Sequence, residues 1–164
     1  MLFPLPFVPK FSYKTGGRRF GAPRHNGRKH AGCDLIAPLD TPIFAVADGI
    51  VMLAGGHEFY RGTFAVIVQH HHFTVRYCEV RAPAPGIHRG LRVKAGTVIA
   101  YVGKMFVDSM LHFEVYSKPY GIGGLTDRKN KPYQRRSDLI DPTSLLDRLR
   151  RHVQNAPDPI APSV

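Results

Sequence analysis

Apolar residues alternate with polar or small ones in short runs between residues 30 and 117, and glycine or proline separates the runs. Successive side chains of a strand point to opposite faces, so a period of two predicts strands. No apolar pattern with helical spacing occurs in this region, which predicts an all-β core. The predicted strands cover residues 35–38, 43–47, 50–54, 64–69, 73–80, two segments within 92–103, and 110–116.

Two short segments predict turns between these strands. Asp48-Gly49 separates the second and third apolar runs, and this dipeptide predicts a tight hairpin or a bulge. His70, His71 and His72 separate two later runs. Three adjacent histidines are also a composition typical of metal binding. Consecutive side chains diverge in a hairpin, so a polar turn is the preferred interpretation.

The C-terminal part changes to helical spacing. Asp141 is placed to cap a helix, and Pro142 suits its first position. The apolar stripe then predicts a helix over residues 143–153 that packs across the sheet, with Leu145, Leu146, Leu149 and Val153 on one face. The chain is thus divided into an extended N-terminal arm (1–16), one domain (17–154) and a disordered tail (155–164).

Composition narrows the possible functions. The 164 residues carry 16 glycines and 14 prolines, which favours one small domain of short strands and tight turns. No apolar run is long enough to span a bilayer. The net charge of +11 requires an anionic partner, either nucleic acid or the bacterial cell wall. Cys33 and Cys78 are interpreted as buried thiols rather than a disulfide.

A histidine and an aspartate form the first candidate site. His30 and Asp34 are four residues apart, with Ala31 and Gly32 permitting a tight turn. An imidazole and a carboxylate suit zinc, and a third ligand would leave one position for water. His112 is the natural third ligand, since alternation places it on one strand face with Met110 and Glu114. The spacing His-x-x-x-Asp alone is a weak motif.

The sequence around these residues resembles that of the lysostaphin-type (LytM-like) zinc metallopeptidases, which cut peptidoglycan cross-links. The resemblance covers about residues 17 to 117, in five blocks that agree in order and spacing: 27–38, 41–51, 76–80, 93–103 and 111–115. It implies a mainly β, antiparallel fold with one C-terminal helix. It also implies that His30, Asp34 and His112 bind Zn²⁺ and that the chain is a bacteriolytic peptidoglycan endopeptidase.

The chain departs from that family at two positions. Glu79 and Met110 stand where the family has its two further catalytic histidines. Glu79 is interpreted as the general base, on a strand face that alternation would share with Tyr77 and turn toward the metal. Met110 cannot stabilise an oxyanion, so another donor is needed, and the candidates are Tyr60, Arg61, Tyr77 and Arg136. The alternative is a degenerate domain that binds metal or wall peptide without cutting.

Two other classes of protein fit the sequence less well. A nucleic-acid-binding β-domain needs aromatic and basic residues on one strand face, but Arg76 lies on the face opposite Phe73 and Tyr77. A biotinyl or lipoyl carrier domain resembles the strands of residues 93–103, but no lysine occupies a hairpin tip in the expected context. Both classes predict no stoichiometric metal.

Residues 1–9 lack the features of a signal peptide, since no basic residue precedes the apolar part and three prolines interrupt it. We therefore expect synthesis in the cytoplasm and action in the periplasm or cell wall after delivery. The expected partners are a peptidoglycan peptide, a delivery machine such as a phage tail or a contact-dependent secretion apparatus, and an inhibitor.

Overall fold

Nine strands form one antiparallel sheet in the part of the chain that the computed structural model describes, residues 1–56, 59–60, 62–105 and 108–154. Two short 3-10 helices precede the sheet, at Gly16–Arg18 and His25–Gly27, and one α-helix, α1 (Thr143–Gln154), follows it. The strands are β1 (Cys33–Ile36), β2 (Pro42–Phe44), β3 (Gly49–Ala54), β4 (Phe64–His70), β5 (Thr74–Pro83), β6 (Arg92–Val93), β7 (Val98–Met105), β8 (Asp108–Tyr116) and β9 (Leu139–Ile140).

Strand order decides which segments meet at the centre of the sheet. The sheet runs β1-β8-β7-β5-β4-β3-β6, while β2 pairs with β7 and β9 pairs with β8. β5 contacts two neighbours in succession on one edge: its first half pairs with β8 and its second half with β7. The predicted mainly β, antiparallel fold with one C-terminal helix is confirmed.

The predicted hairpin at Asp48-Gly49 is wrong. β2 and β3, which flank this dipeptide, pair with different strands, β2 with β7 and β3 with β4 and β6. The Asp48 carboxylate instead accepts hydrogen bonds from Ala95 N at 2.9 Å and Lys94 Nζ at 2.8 Å. Asp48 therefore joins two turns that are distant in sequence, which a local turn pattern does not reveal.

The N-terminal arm contributes to the core. Phe3 and Leu5 are buried, and Pro4 O accepts a hydrogen bond from Phe44 N at 2.9 Å. The arm thus covers the edge of β2. The main core consists of apolar side chains from the arm, the sheet and α1, its largest members being Tyr77, Phe3, Phe113, Leu5, Leu35, Ile43, Ile99, Leu111, Leu146 and Leu149.

The helix α1 agrees closely with its prediction. Asp141 Oδ1 accepts a hydrogen bond from Thr143 N at 2.9 Å, so the Asp141 side chain caps the first N–H of the helix. Pro142, predicted as the first helical residue, lies immediately before the helix. Leu146 and Leu149 are buried against the sheet, with Leu145 and Val153 partly buried beside them. No helix among the described residues is long and apolar enough to cross a membrane. The predicted disordered tail, 155–164, lies outside the described residues.

The three adjacent histidines occupy the β4–β5 turn. His70 ends β4 and is buried, with Nδ1 3.0 Å from Asp48 O. His71 and His72 are exposed, and their ring nitrogens lie 2.6 Å apart. Neither joins a group of three convergent ligand side chains in the described part of the chain. Both cysteines are buried and free, as predicted.

Candidate metal centre and cleft

Asp34 and His112 are direct cross-strand partners. Asp34 lies in β1 and His112 in β8, and the antiparallel register places the two residues opposite each other. Opposed residues of an antiparallel pair extend from the same face of a sheet, so the two side chains meet. His112 Nδ1 lies 2.8 Å from Asp34 Oδ1. Sheet register therefore joins two candidate ligands that are far apart in sequence.

His30 precedes β1 and is held by backbone contacts. Its N–H donates to Ala22 O at 2.9 Å, and its carbonyl accepts from Gly21 N at 2.9 Å. Gly32 then passes close to β8: a Cβ at this position would come within 3.1 Å of His112 Cε1 and closer still to the Phe113 backbone. Glycine is required by this close approach, which brings His30 Nε2 to 3.0 Å from Asp34 Oδ1.

The hydrogen-bond partners of both imidazoles fix which nitrogen carries the proton. His30 Nδ1 lies 2.9 Å from Arg19 O, and His112 Nε2 lies 3.0 Å from Glu114 Oε1. Both oxygens only accept, so these nitrogens donate. The remaining nitrogens, His30 Nε2 and His112 Nδ1, lie 2.9 Å apart and in the neutral rings present lone pairs to each other and to Asp34. Three acceptors that converge in this way need positive charge among them, either a shared proton or a bound metal ion.

The electrostatics of the cluster agree with this requirement. Burial alone would lower the pKa of His112, but its bonds to Asp34 and Glu114 outweigh burial and raise that pKa to about 10. Burial opposes ionisation of Asp34, yet the two histidines hold the pKa of Asp34 well below its ordinary value. The cluster attracts positive charge, and two imidazole nitrogens with one carboxylate oxygen are a donor set of catalytic zinc. The residues present fit the metal.

Glu114 orients the His112 ring by contacting Nε2, the nitrogen that is not the candidate metal ligand. Its side chain is completely buried, and Oε1 accepts from His112 Nε2 and, at 2.8 Å, from Arg135 Nε. The other oxygen accepts from Tyr116 Oη at 2.6 Å and lies 3.6 Å from Arg76. A ligand histidine that donates its second nitrogen to a fixed carboxylate has a defined tautomer and ring orientation. Glu114 therefore holds His112 Nδ1 toward His30 and Asp34.

Glu79 enters the same cleft through a β-bulge. Cys78 pairs with β8 and Val80 pairs with β7, which leaves Glu79 between them without a partner at the point where β5 changes neighbours. Its φ of 61° lies in the left-handed region, which is rare outside glycine. Gly103 makes the bulge possible, because a Cβ there would lie 2.9 Å from Arg81 N and nearer still to Glu79 O.

Glu79 is 7% exposed, and its Oε2 has no hydrogen-bond partner among the described residues. Desolvation raises the pKa of Glu79 to about 7. Burial of a carboxylate oxygen without a described partner lowers the stability of the fold, and so does the left-handed backbone conformation of Glu79. Such features concentrate at functional sites.

Because ionisation of the buried Glu79 destabilises the fold, Glu79→Gln should change the free energy of unfolding in a pH-dependent way. The pKa of Glu79 is about 7 in the fold against 4.5 ordinarily, so ionisation costs nothing below pH 4.5 and its full amount above pH 7. That amount is about 3 kcal/mol. The metal-free protein with Glu79→Gln should therefore resist urea better than wild type at pH 8, with the gain shrinking toward pH 5. An equal gain at both pH values would contradict the buried-carboxylate explanation.

The other predicted contacts have mixed outcomes. Tyr60 lines the cleft. Tyr77 does not: it is fully buried in the core, where Tyr77 Oη accepts from Val46 N at 3.0 Å. The prediction that alternation places Tyr77 and Glu79 on one face is wrong, because the bulge reverses the direction of Glu79. Arg136 pairs with Asp138 at 2.9 Å, away from the cleft, and Arg61 lies outside the described residues.

Several charged residues around the metal centre have roles that sequence patterns do not predict. Alternation places Glu114 on the His112 face but does not predict its contact with the ring. Arg135, one position before the predicted Arg136, reaches the site through Glu114. Arg24 lies 3.6 Å from Asp34 Oδ2. The alternation of β8 was the available signal for Glu114, while the two arginines lie in loops that carry no periodic signal.

Comparisons with known proteins show which sequences and folds this chain is similar to. The lipoprotein NlpD/LppB homolog of Pseudomonas aeruginosa is 28% identical over 111 residues, which cover 67% of this chain and 37% of that protein. This chain therefore matches little more than a third of its relative's length.

Two solved structures share the fold. The catalytic domain of lysostaphin from Staphylococcus simulans is 23% identical with a TM-score of 0.61, covering 82% of this chain and 92% of that one. A zinc-containing peptidase from Vibrio cholerae is 21% identical with a TM-score of 0.54, covering 71% of this chain and 38% of that one. Residues 28–125, which include every candidate ligand, match Peptidase family M23, and the chain belongs to this family of metallopeptidases.

Proposed function

We propose that this protein is a zinc-dependent endopeptidase that hydrolyses peptide cross-links of bacterial peptidoglycan. The observation that carries the proposal is the convergence of three lone-pair donors, from His30, Asp34 and His112, in a cleft that also holds the buried Glu79, whose Oε2 has no hydrogen-bond partner among the described residues. A structural site would have no use for the unpaired Glu79. The relative named NlpD/LppB homolog is called a lipoprotein, which supports action at the cell envelope.

The residues of the site have separate roles in the proposed hydrolysis. His30, Asp34 and His112 would hold zinc, which when bound polarises the scissile carbonyl and acidifies the attacking water. Glu79 accepts a proton from the water as the water oxygen bonds to the carbonyl carbon. The same carboxyl then gives this proton to the amine nitrogen as the C–N bond breaks. Glu114 keeps the His112 ring in place throughout.

A carboxyl with a pKa near neutrality suits both proton transfers. Desolvation raises the pKa of Glu79 to about 7 in the metal-free protein, and a bound cation would lower it again. Oε2 is buried and has no hydrogen-bond partner among the described residues, so a water molecule bound in the cleft would supply the partner that it lacks. Tyr60 and Arg24, which also line the cleft, are the candidate donors to the oxyanion.

The second candidate is a domain that binds metal or wall peptide without cutting. One observation favours it: Met110 lines the cleft, and its thioether offers no proton to a tetrahedral intermediate. This candidate predicts the same zinc content and the same peptide affinity, but no products.

Digestion of purified peptidoglycan separates the two candidates. With zinc-loaded protein we expect soluble fragments whose masses show the addition of one water for each cut. A chelator should abolish their release, and added zinc should restore it. Fragments that form equally in the chelator would contradict the metallopeptidase. Intact sacculi from several bacterial species, in the presence of stoichiometric zinc, would favour the binding domain.

A further inference from the structure

We infer that the cleft selects peptides with a free carboxylate near the scissile bond, and that Arg28, Lys29 and Arg128 bind this carboxylate. The inference rests on the proposed function for the identity of the peptide as a substrate. It concerns charge recognition, which the catalytic cluster does not determine.

The cleft is strongly basic. It has a volume of about 700 Å³, and among the described residues its lining includes only two carboxylates, those of Asp34 and Glu79. Six basic side chains line the same space: Arg24, Arg28, Lys29, Arg76, Arg128 and Arg135. Even with both carboxylates ionised, the lining carries an excess of positive charge.

Three of these six cations lie beside acidic residues of the metal centre. Arg135 donates to Glu114 Oε1 at 2.8 Å, and Arg76 lies 3.6 Å from Glu114 Oε2. Arg24 lies 3.6 Å from Asp34 Oδ2. Each of these three arginines therefore lies beside a carboxylate of the protein itself.

The other three cations have no carboxylate partner among the described residues. Arg28, Lys29 and Arg128 are exposed, and no described carboxylate forms an ion pair with any of them. Like charges that gather in one cleft repel each other, and a bound anion relieves this repulsion. A carboxylate on the substrate is the anion that a peptidase cleft would receive.

These cations also stand close to the reacting centre. Arg28 and Lys29 directly precede the candidate ligand His30, and Lys29 N donates to Pro132 O at 3.1 Å. That bond joins their loop to the loop of residues 127–134, which carries Arg128 and is closed by a bond of 3.3 Å from Asp127 N to Gln134 O. Two connected loops thus present the three cations to the cleft beside His30.

Part of the lining is apolar: Phe59, Met105 and Met110 contact a peptide without regard to its charge. Apart from the metal centre and the three arginines that lie beside its acids, Arg28, Lys29 and Arg128 are the permanently charged lining residues among those described. They favour a peptide that carries a carboxylate over the same peptide in which the carboxylate is an amide. Because Arg28, Lys29 and Arg128 are exposed, salt will weaken the interaction.

Binding of two synthetic peptides to the zinc-loaded full chain tests the inference. One is a peptidoglycan stem peptide with free carboxylates, and the other is the same peptide with every carboxylate amidated. Dissociation constants are measured by calorimetry, with mass analysis to correct for any hydrolysis. We expect the free-carboxylate peptide to bind at least about 10-fold more tightly at low salt, with the difference shrinking as salt rises.

Variants assign the effect to the named residues. Arg28→Gln, Lys29→Gln and Arg128→Gln should each weaken the free-carboxylate peptide by about 3- to 10-fold and leave the amidated peptide unchanged. Arg128→Lys should retain most of the affinity. Arg89→Gln is the matched control: Arg89 is exposed, forms no ion pair among the described residues, and does not line the cleft.

Each outcome supports or overturns the inference. Equal affinity for the two peptides overturns it, and so does an equal loss in Arg89→Gln, which would show an effect of net charge alone. A short inorganic polyphosphate that binds more tightly than the peptide, and depends on the same three cations, would assign them to a phosphate polymer instead. Charge-dependent binding without any hydrolysis would defeat the proposed function and leave the inference standing.

Discussion

Glu79→Gln should reduce peptidoglycan hydrolysis by about 10²–10⁴-fold while zinc content stays stoichiometric. Glutamine preserves the size of the side chain and the bulge at φ 61°, but it cannot accept a proton from water. The fold should survive, since the substitution removes a buried charge rather than a contact. The measurement is fragment release by wild type and variant under identical zinc loading.

Asp40→Asn is the matched control for this experiment. Asp40 is an exposed acid that pairs with Arg81 at 2.7 Å and does not line the cleft, so its loss should leave hydrolysis unchanged. Undiminished hydrolysis in Glu79→Gln would rule out this residue as the base. Loss of zinc together with activity would instead make Glu79 a part of the metal site.

His112→Ala should abolish stoichiometric zinc binding and, with it, all hydrolysis. The substitution removes one of three donors and leaves Asp34 and Glu114 without their shared partner. Metal analysis after zinc reconstitution and circular dichroism should together show a folded protein without metal, because the apolar core lies elsewhere. His88→Ala, in an exposed loop, should retain both zinc and activity.

Glu114→Gln provides a graded comparison with His112→Ala. It keeps all three ligands but weakens the orientation of His112, so zinc affinity should fall by about 10- to 100-fold rather than vanish. A competition assay with a chelator of known affinity measures the difference. Zinc affinity equal to wild type would show that Glu114 only balances Arg135 and Arg76. Full retention of zinc in His112→Ala would remove the candidate metal centre.

Local sequence patterns predicted much of the fold because its strands and helix are stabilised by short-range regularities. The alternation in residues 110–116 placed His112 and Glu114 on one face, and the Asp141 cap predicted the start of α1. The hairpin predicted at Asp48-Gly49 was wrong because strand pairing is not a short-range property. A turn dipeptide indicates a change of chain direction, but it does not determine which strand the next segment pairs with.

The sequence by itself determined the chemical types in the site and the order in which they occur. It supplied two imidazoles and a carboxylate with the right neighbours, and it placed a glutamate where the family has a histidine. Gly32, between His30 and Asp34, indicated a tight turn, whereas its close approach to β8 is a property of the fold.

Only the tertiary structure decided how these groups meet. The register of β1 on β8 places Asp34 opposite His112, and the change of partner along β5 creates the bulge that turns Glu79 into the cleft and leaves Tyr77 in the core. It also brings Arg135, rather than the predicted Arg136, to the metal centre, where Arg135 donates to Glu114. Each outcome depends on pairing between strands or loops that are distant in sequence, and a bulge interrupts the period of two on which alternation relies.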